Sequence, residues 1–505
     1  MLGKDNHSRV LLKVLKNNIY NKTICITSCS ALSSICIGVS LNKDIFGENG
    51  ACSLVCELIR VHTDDASVIG AACAALWSIG SGNSKNTERL SQIVSISDLL
   101  IEVLKLHFDN GLVCGAVSGL LSAILQIDQS HFPAMKSCKM QEICLAMLTT
   151  YGNNASVVAP ALTLLRLLFK NEMELNADLN PFSKHSKECA CLVKLIQQFK
   201  TNVVILEEAC QSIAVLCSDP SSPCIQIFGE KLNIYRLLPE IISVAIIDKN
   251  RLLACLALKV IALLCTGNSV NQQKFGETDA CQVIIFVVQK LNPTISTTTA
   301  KKGGSSEGGK ELISGMDNSA KVTEAVIELE KSALMAICMI ARHSSTKSSE
   351  NTSNIDKLML EGACEFIMSI VENRLDNAEV VYLAFRAIFS LSGNEACSHR
   401  FNRNGICDII TEVLNKFRKN NQLAHYVCGV VANIAVIDDG NALLVVEKVP
   451  EAIVETLRES GMVSKDVATF AFVALDNLVG NRPKLRTRLG ECGACKAGIQ
   501  AVKVF

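Results

Sequence analysis

The 505-residue chain is short of three things. Aromatic residues are 5% of it with a single Trp, there are only 9 prolines, and no charge of either sign is in excess. Scarce aromatics exclude a core of large rings and leave aliphatic and small side chains to fill the interior. Scarce proline leaves long helices uninterrupted. Lys+Arg and Asp+Glu are both 49, so nothing electrostatic favours nucleic acid or an anionic membrane as partner. No run of ~18 uninterrupted apolar residues occurs, so no membrane span is expected. The opening M-L-G-K-D-N-H-S starts no signal peptide.

Hydrophobic residues, by contrast, make up 49%, and Cys is abundant at 24. Most cysteines lie inside apolar runs, as do Cys25, Cys29 and Cys36 in T-I-C-I-T-S-C-S-A-L-S-S-I-C-I. A buried free Cys acts as a small hydrophobe. The usage points to reduced thiols in a cytoplasmic protein, with the nucleus also open to it.

One unit is copied along the chain. Asn42–Cys52 reads N-K-D-I-F-G-E-N-G-A-C, Asn271–Cys281 reads N-Q-Q-K-F-G-E-T-D-A-C, and Asn354–Cys364 reads N-I-D-K-L-M-L-E-G-A-C. A long apolar segment supplies the ruler. Leu32, Leu76, Leu120 and Leu165 recur at 44 or 45 residues, and Ile340, Leu391, Ile434 and Leu478 at 43 to 51. In each unit a segment such as Val380–Leu391 is apolar nearly all round, which predicts an inner helix buried on several sides. The amphipathic segment before it, as at Ala363–Val371, predicts an outer helix. A short helix precedes that, as at Arg482–Leu489, with Asn481 as its N-terminal cap, Pro483 in the first turn and Gly490 as the left-handed C-terminal cap. Ten inner helices are placed, at 23–38, 66–80, 112–125, 155–169, 204–217, 251–265, 324–341, 378–391, 423–436 and 464–479.

Asn292–Lys321 contains T-I-S-T-T-T-A-K-K-G-G-S-S-E-G-G-K, too polar and Gly-rich to form a packed element. The expected organisation is 1–291 and 322–505 as repeat regions around an inserted segment at 292–321. A second polar loop spans 342–354, and the serines of both are candidates for phosphorylation. The chain opens on an outer-type helix at Ser8–Lys16 and closes on another. Arrays of repeats need polar caps. Two expectations stand side by side: a piece of a longer protein, or ends that self-associate.

Three helices in ~40–47 residues is the pattern of armadillo or HEAT repeats. G-A-C-E-F-I-M-S-I at 362–370, V-C-G-V-V-A-N-I-A at 427–435 and V-A-L-D-N-L-V-G-N-R at 473–482 resemble the armadillo family, which includes beta-catenin and importin-alpha. The resemblance covers nearly the whole chain and is weakest over 126–250. It implies an all-α fold, a right-handed α-α superhelix of about ten to eleven three-helix repeats, with a concave groove lined by the inner helices. It also implies an inner-helix Asn that clamps an extended peptide. That Asn matches at Asn433 and Asn477; Ser34, Ser78, Val215, Met339 and Ser390 stand elsewhere. The family's groove Trp position holds Ala74, Arg386, Gly429 and Val473, and Trp77 is next to the Asn position. These departures argue against an importin-alpha-like carrier of basic peptides. With few inner-helix cations beyond Arg166, Lys259 and Arg386, a beta-catenin-like basic groove is unsupported as well.

Chemistry-bearing motifs are weak. Gly304–Lys310 has phosphate-loop spacing, but Glu311 stands where Ser or Thr must hold magnesium. Strand-like Val283–Val288 occupies an outer-helix slot. Cys492 and Cys495 form a C-x-x-C without a second half, and Cys495 falls where the core thiols Cys52, Cys281 and Cys364 fall. Cys189 and Cys191 near His185, and the scattered histidines, show no metal spacing. Arg482, Lys484, Arg486 and Arg488 read as a solvated basic face. The expected function is non-catalytic: a scaffold that binds a protein or extended peptide, without cofactor or metal. The groove candidates are Asn433, Asn477, Ser390, Arg386, Ser78 and Trp77. The alternative is the regulatory array of a larger protein that carries a kinase or other catalytic module.

Overall fold

The computed structural model describes residues 5–175, 185–292, 316–342, 353–480 and 482–504. Residues 293–315 and 343–352, with the Gly304–Lys310 match and most of both polar segments, lie outside them, as does Asn481. The described residues are all-α, with no strand among them. Val283–Val288 is helical, within Ala280–Leu291.

The described residues hold ten inner helices: α1 (Lys22–Cys36), α2 (Ala66–Gly80), α3 (Gly111–Ile127), α4 (Ala155–Leu175), α5 (Val203–Leu216), α6 (Arg251–Cys265), α7 (Met316–Ala341), α8 (Ala378–Ser392), α9 (Asn421–Ile434) and α10 (Lys465–Val479). By contacts the chain divides into two compact units, Met1–Ile227 and Phe228–Phe505. The division falls at the irregular stretch where helix Pro223–Gln226 gives way to the π-helical Ile227–Lys231. It therefore precedes the composition boundary at 291. α6 and α7, on either side of the polar insertion, pack directly on each other.

Nine of the ten inner helices, all but α7, start the same way. Asn21, Asp65, Asn110, Asn202, Asn250, Asn377, Asn420 and Ser464 take the N-cap position, and each side chain accepts from backbone N–H groups of the first turn. Asn154 does so for α4 through Ser156 N at 3.1 Å. The cap meets donors that no helical carbonyl can reach. The ruler residues Leu32, Leu76, Leu165, Ile340, Leu391, Ile434 and Leu478 are all fully buried.

In five repeats an Asn of the short helix meets the end of the inner helix before it, and in two of them it also reaches one repeat back. Asn86 Nδ2 donates to Ile79 O at the end of α2 at 3.3 Å and to Lys43 O, one repeat back, at 2.7 Å. Asn354 does the same for Ile340 O at 3.1 Å and Gln272 O at 2.8 Å. Asn42 reaches Ile35 O, Asn271 Leu264 O and Asn441 Ala435 O, each at the end of the inner helix before it. The carbonyls that end a helix have no partner within it, and these amides supply one. Room comes from glycine one repeat back. A Cβ on Gly47, Gly229 or Gly276 would lie 1.7–1.8 Å from Oδ1 of Asn86, Asn271 or Asn354.

The corner between short and outer helix is left-handed. Gly50, Gly362 and Gly405 take φ of 80–87°, and Ser95, Lys139, Asn233 and Lys448 take the same place at 54–57°. In the last repeat that corner is Gly493, at φ 79°. Gly490, the expected left-handed cap, instead lies inside helix Pro483–Glu491, because that helix runs one turn-step further than its sequence suggests.

At the far end of several outer helices a polar side chain closes on a neighbouring segment. His62 Nε2 meets Ile19 O at 2.7 Å, His107 Nε2 meets Thr63 O at 2.6 Å, and the Tyr151 hydroxyl donates to Phe108 O at 2.8 Å. In the second unit Arg374 pairs with the buried Glu330 at 2.8 Å, and Asn292 Nδ2 donates to the same carboxylate at 2.6 Å.

The Gly47–Asn86 contact is testable. Gly47→Ala is expected to expel the Asn86 amide and destabilise the chain by about 2 kcal/mol or more, since two buried carbonyls lose their donor. In an Asn86→Ala background the same change should cost almost nothing, a coupling of about 1–3 kcal/mol. Urea unfolding of the four chains of the cycle measures it; additive effects would show that the contact is not a constraint.

Candidate functional site

In the second unit, half-buried side chains of α8, α9 and α10 form an aromatic stripe. Tyr382, Arg386, Phe389 and Ser390 recur at the three- and four-residue spacing that keeps them on one side of α8. His425, Tyr426, Gly429 and Asn433 do the same on α9, and Phe470, Val473 and Asn477 on α10. The rings meet edge to face. Phe389 lies 5.4 Å from Phe470 and 5.8 Å from Tyr426, His425 lies 4.7 Å from Phe470, and Tyr382 lies 5.7 Å from Tyr426. Gly429 makes this possible: a Cβ there would stand 2.5 Å from Phe389 Cε2 and 3.3 Å from Phe470 Cδ1. Beside the rings, Arg386 Nε and His425 Nδ1 are enclosed, with no hydrogen-bond partner among the described residues. Such donors and acceptors are costly to leave unmet.

Four of the six candidate residues, Asn433, Asn477, Ser390 and Arg386, belong to this stripe, and the first three are already tied to the array. Asn433 Nδ2 donates to Ser392 Oγ at 2.9 Å, and Asn477 Nδ2 donates to Ala432 O at 2.9 Å. Ser390 Oγ lies 3.3 Å from Cys338 Sγ and donates to Arg386 O at 3.1 Å. An Asn amide has two donors and a carbonyl acceptor. Neither Asn433 Oδ1 nor Asn477 Oδ1 takes a hydrogen bond from the described residues.

Trp77 and Ser78 fall in the first unit, on a cleft of about 1020 Å³ lined by α2 to α5 and the loop after α2. Ser78 Oγ sits 2.6 Å from Ser33 Oγ and is spent between α1 and α2. Trp77 lies flat on α3, where a Cβ on Gly119 would come within 2.8 Å of the indole. The α3 and α4 backbones close the floor. Pro160 removes the helical donor to Ser156 O, and that carbonyl faces Gly115, where a Cβ would sit 2.6 Å away.

The remaining motifs are structural. Among the described residues no cluster of three or more His, Cys, Asp or Glu is placed to hold a metal ion. Burial pushes the Cys29 and Cys428 thiols up to about 12, so they stay protonated in the core. Cys189 pairs with Cys224 rather than with Cys191; their hydrogen bond raises the one thiol and lowers the other. Cys495 is exposed, unlike the buried Cys52, Cys281 and Cys364, which corrects its reading as a core thiol. Arg488 of the basic cluster forms an ion pair with Glu451.

Sequence reasoning missed Phe389, His425, Tyr426 and Phe470, because it looked for Asn and Trp at the family's positions. The signal was available in Gly429, a missing side chain at a position where the family carries a large one.

The chain is similar in fold to solved structures. One, from work on a conserved phosphorylation switch in the interaction between cadherin and beta-catenin, matches over 94% of this chain and 91% of its own, at 14% identity and a TM-score of 0.51. The fold is an armadillo-like repeat fold. A designed armadillo repeat protein in complex with the peptide (KR)4 covers 57% of this chain and 99% of its own, at 18% identity and a TM-score of 0.42. An engineered protein covers 58% and 96%, at 16% identity and a TM-score of 0.43. No protein-family model matches the chain, and neither does any curated protein.

The stripe yields a prediction. Gly429→Ala is expected to drive Phe389 from its place and destabilise the second unit by about 1–3 kcal/mol, the usual cost of overpacking. Thermal unfolding followed by circular dichroism checks it; an unchanged midpoint would mean that the rings do not depend on the glycine.

Proposed function

We propose that the chain is a non-catalytic protein-interaction scaffold that holds an extended segment of a partner against α8, α9 and α10. The observation that carries this reading is the half-exposed stripe of Phe389, His425, Tyr426 and Phe470 beside the unmet Arg386 Nε. Interfaces concentrate binding energy in aromatic and Arg side chains. Here both are present and held rigid by the array. The Asn433 and Asn477 carbonyls are spaced one repeat apart and suit the backbone N–H groups of a strand crossing the helices, while Ser390 and Arg386 flank it. The similar structure from work on the interaction between cadherin and beta-catenin concerns a protein–protein interaction, which supports a binding role for this chain. Thiols kept unpaired within the helices fit a reducing compartment, cytosol or nucleus. No described helix is long and apolar enough to cross a membrane.

Selection of short random peptides displayed on phage against the whole chain tests the reading. Recovered peptides should lose about 2 kcal/mol of affinity, roughly thirtyfold in Kd, with Phe470→Ala. Asn433→Ala with Asn477→Ala should weaken them further at unchanged helicity. Peptides indifferent to all three changes would move the site off this surface.

A further inference from the structure

We infer that the cleft of the first unit is a second binding site, which takes an extended polypeptide segment whose entering side chains carry no charge. The inference rests on reading the chain as a peptide-binding scaffold, and it assigns to this cleft a partner chemistry unlike that of the Arg-bearing stripe.

Charge is the first argument. No Asp, Glu, Lys, Arg or His lines the cleft, whose walls are Gly, Ala, Ser and Thr with a few aliphatics. On its two last helices Arg166 of α4 and Glu208 of α5 pair with each other at 3.0 Å, and Lys170, Glu172, Glu174 and Glu207 of the same helices are not among the lining residues. Asn83 at the rim is held by Asp44 at 2.8 Å. Lys43 Nζ donates to Ser81 O at the same rim; a charged side chain that enters past the rim is desolvated with no lining charge to pair with, at a cost of several kcal/mol.

Shape is the second. The cleft crosses four consecutive inner helices, α2 to α5. At roughly 8–10 Å between packed helices, it runs about 25–30 Å, the length of about eight residues of extended chain at ~3.3 Å each. That is long for a compact ligand and suits a strand.

The third is the arrangement of contact groups. Leu112 is 75% exposed and Val204 58% exposed, and both belong to the lining, so each presents an aliphatic side chain to whatever enters. Trp77 offers a ring held against Gly119. The indole Nε1–H of Trp77 and the side-chain amide of Gln126, both at the cleft, make no hydrogen bond to any described residue. They are suited to carbonyl and N–H groups of an extended backbone, which a strand presents at regular intervals whatever its side chains.

Trp77 is the single Trp of the chain, so intrinsic fluorescence reports on this cleft alone. The experiment titrates the whole chain with three blocked octapeptides: alternating leucine and serine, lysine and serine, and glutamate and serine. The leucine peptide should shift Trp emission to the blue and saturate, with the two charged peptides at least about tenfold weaker. Leu112→Asp, an exposed position whose change leaves the helices intact, should abolish the leucine response and raise the affinity for the lysine peptide. Equal binding of all three peptides, indifference to Leu112→Asp, or no saturable shift would overturn the inference. So would a blue shift that appears without peptide as chain concentration rises and follows dimer formation in sedimentation, since a second copy would then be the occupant. If the leucine peptide fails while phage-selected peptides still depend on Phe470, only this cleft is reassigned; if those peptides fail and the leucine peptide binds, the stripe is lost and the cleft stands.

Discussion

The repeats are held in register by an amide buried against a missing side chain. Asn86 fits over Gly47, Asn271 over Gly229 and Asn354 over Gly276, with no space for even a methyl group between them. The same amide answers the last carbonyls of the preceding inner helix. A stacked array has no long-range contacts to set its geometry, so each neighbour interface must do so. Apolar packing alone would let helices slide, because it is non-directional. A hydrogen-bonded amide in a close-fitting niche admits one position.

In the first repeats the opposite edge is set by a different group. His62, His107 and Tyr151 each close the end of an outer helix on a backbone carbonyl one repeat earlier. Cations extend the Asn system: Lys357 and Arg400 donate to the C-terminal ends of short helices one repeat back, Gly276 O at 2.7 Å and Met359 O at 2.8 Å. That is the favourable end of the helix dipole for a positive charge. With both edges pinned, the inner-helix faces are released from structural duty. They can carry a rigid aromatic stripe in one unit and a neutral cleft in the other. Rigidity matters to binding, since side chains already ordered lose little entropy when a partner arrives.

Much of the fold was legible because it rests on spacing. The recurrence of Leu32, Leu76, Leu120 and Leu165 located most inner helices to within a few residues, although α4 ends six residues later and α7 starts eight residues earlier than expected. The segments beginning Asn42, Asn271 and Asn354 marked the unit, although the role of that opening Asn as the tie between repeats was not read from them. The site was less legible. Asn433 and Asn477 were found by family position, yet each also serves the array, through Ser392 Oγ and Ala432 O. Phe389 and Phe470 lie on different helices, 81 positions apart in the chain, and nothing local marks them as neighbours. His62 and His107 looked scattered because their partners are backbone carbonyls, which have no residue signature.

The sequence by itself determined the all-α class, the repeat period and the identity of the buried face, since these follow from the periodicity of apolar residues and need no knowledge of distant contacts. Only the tertiary structure decided where Trp77, Leu112 and Val204 converge, that Gly429 admits Phe389 beside Phe470, and that α6 and α7 pack across a polar insertion. Those facts depend on which side chain fills the space another leaves empty, and that is a property of neighbours in space rather than along the chain.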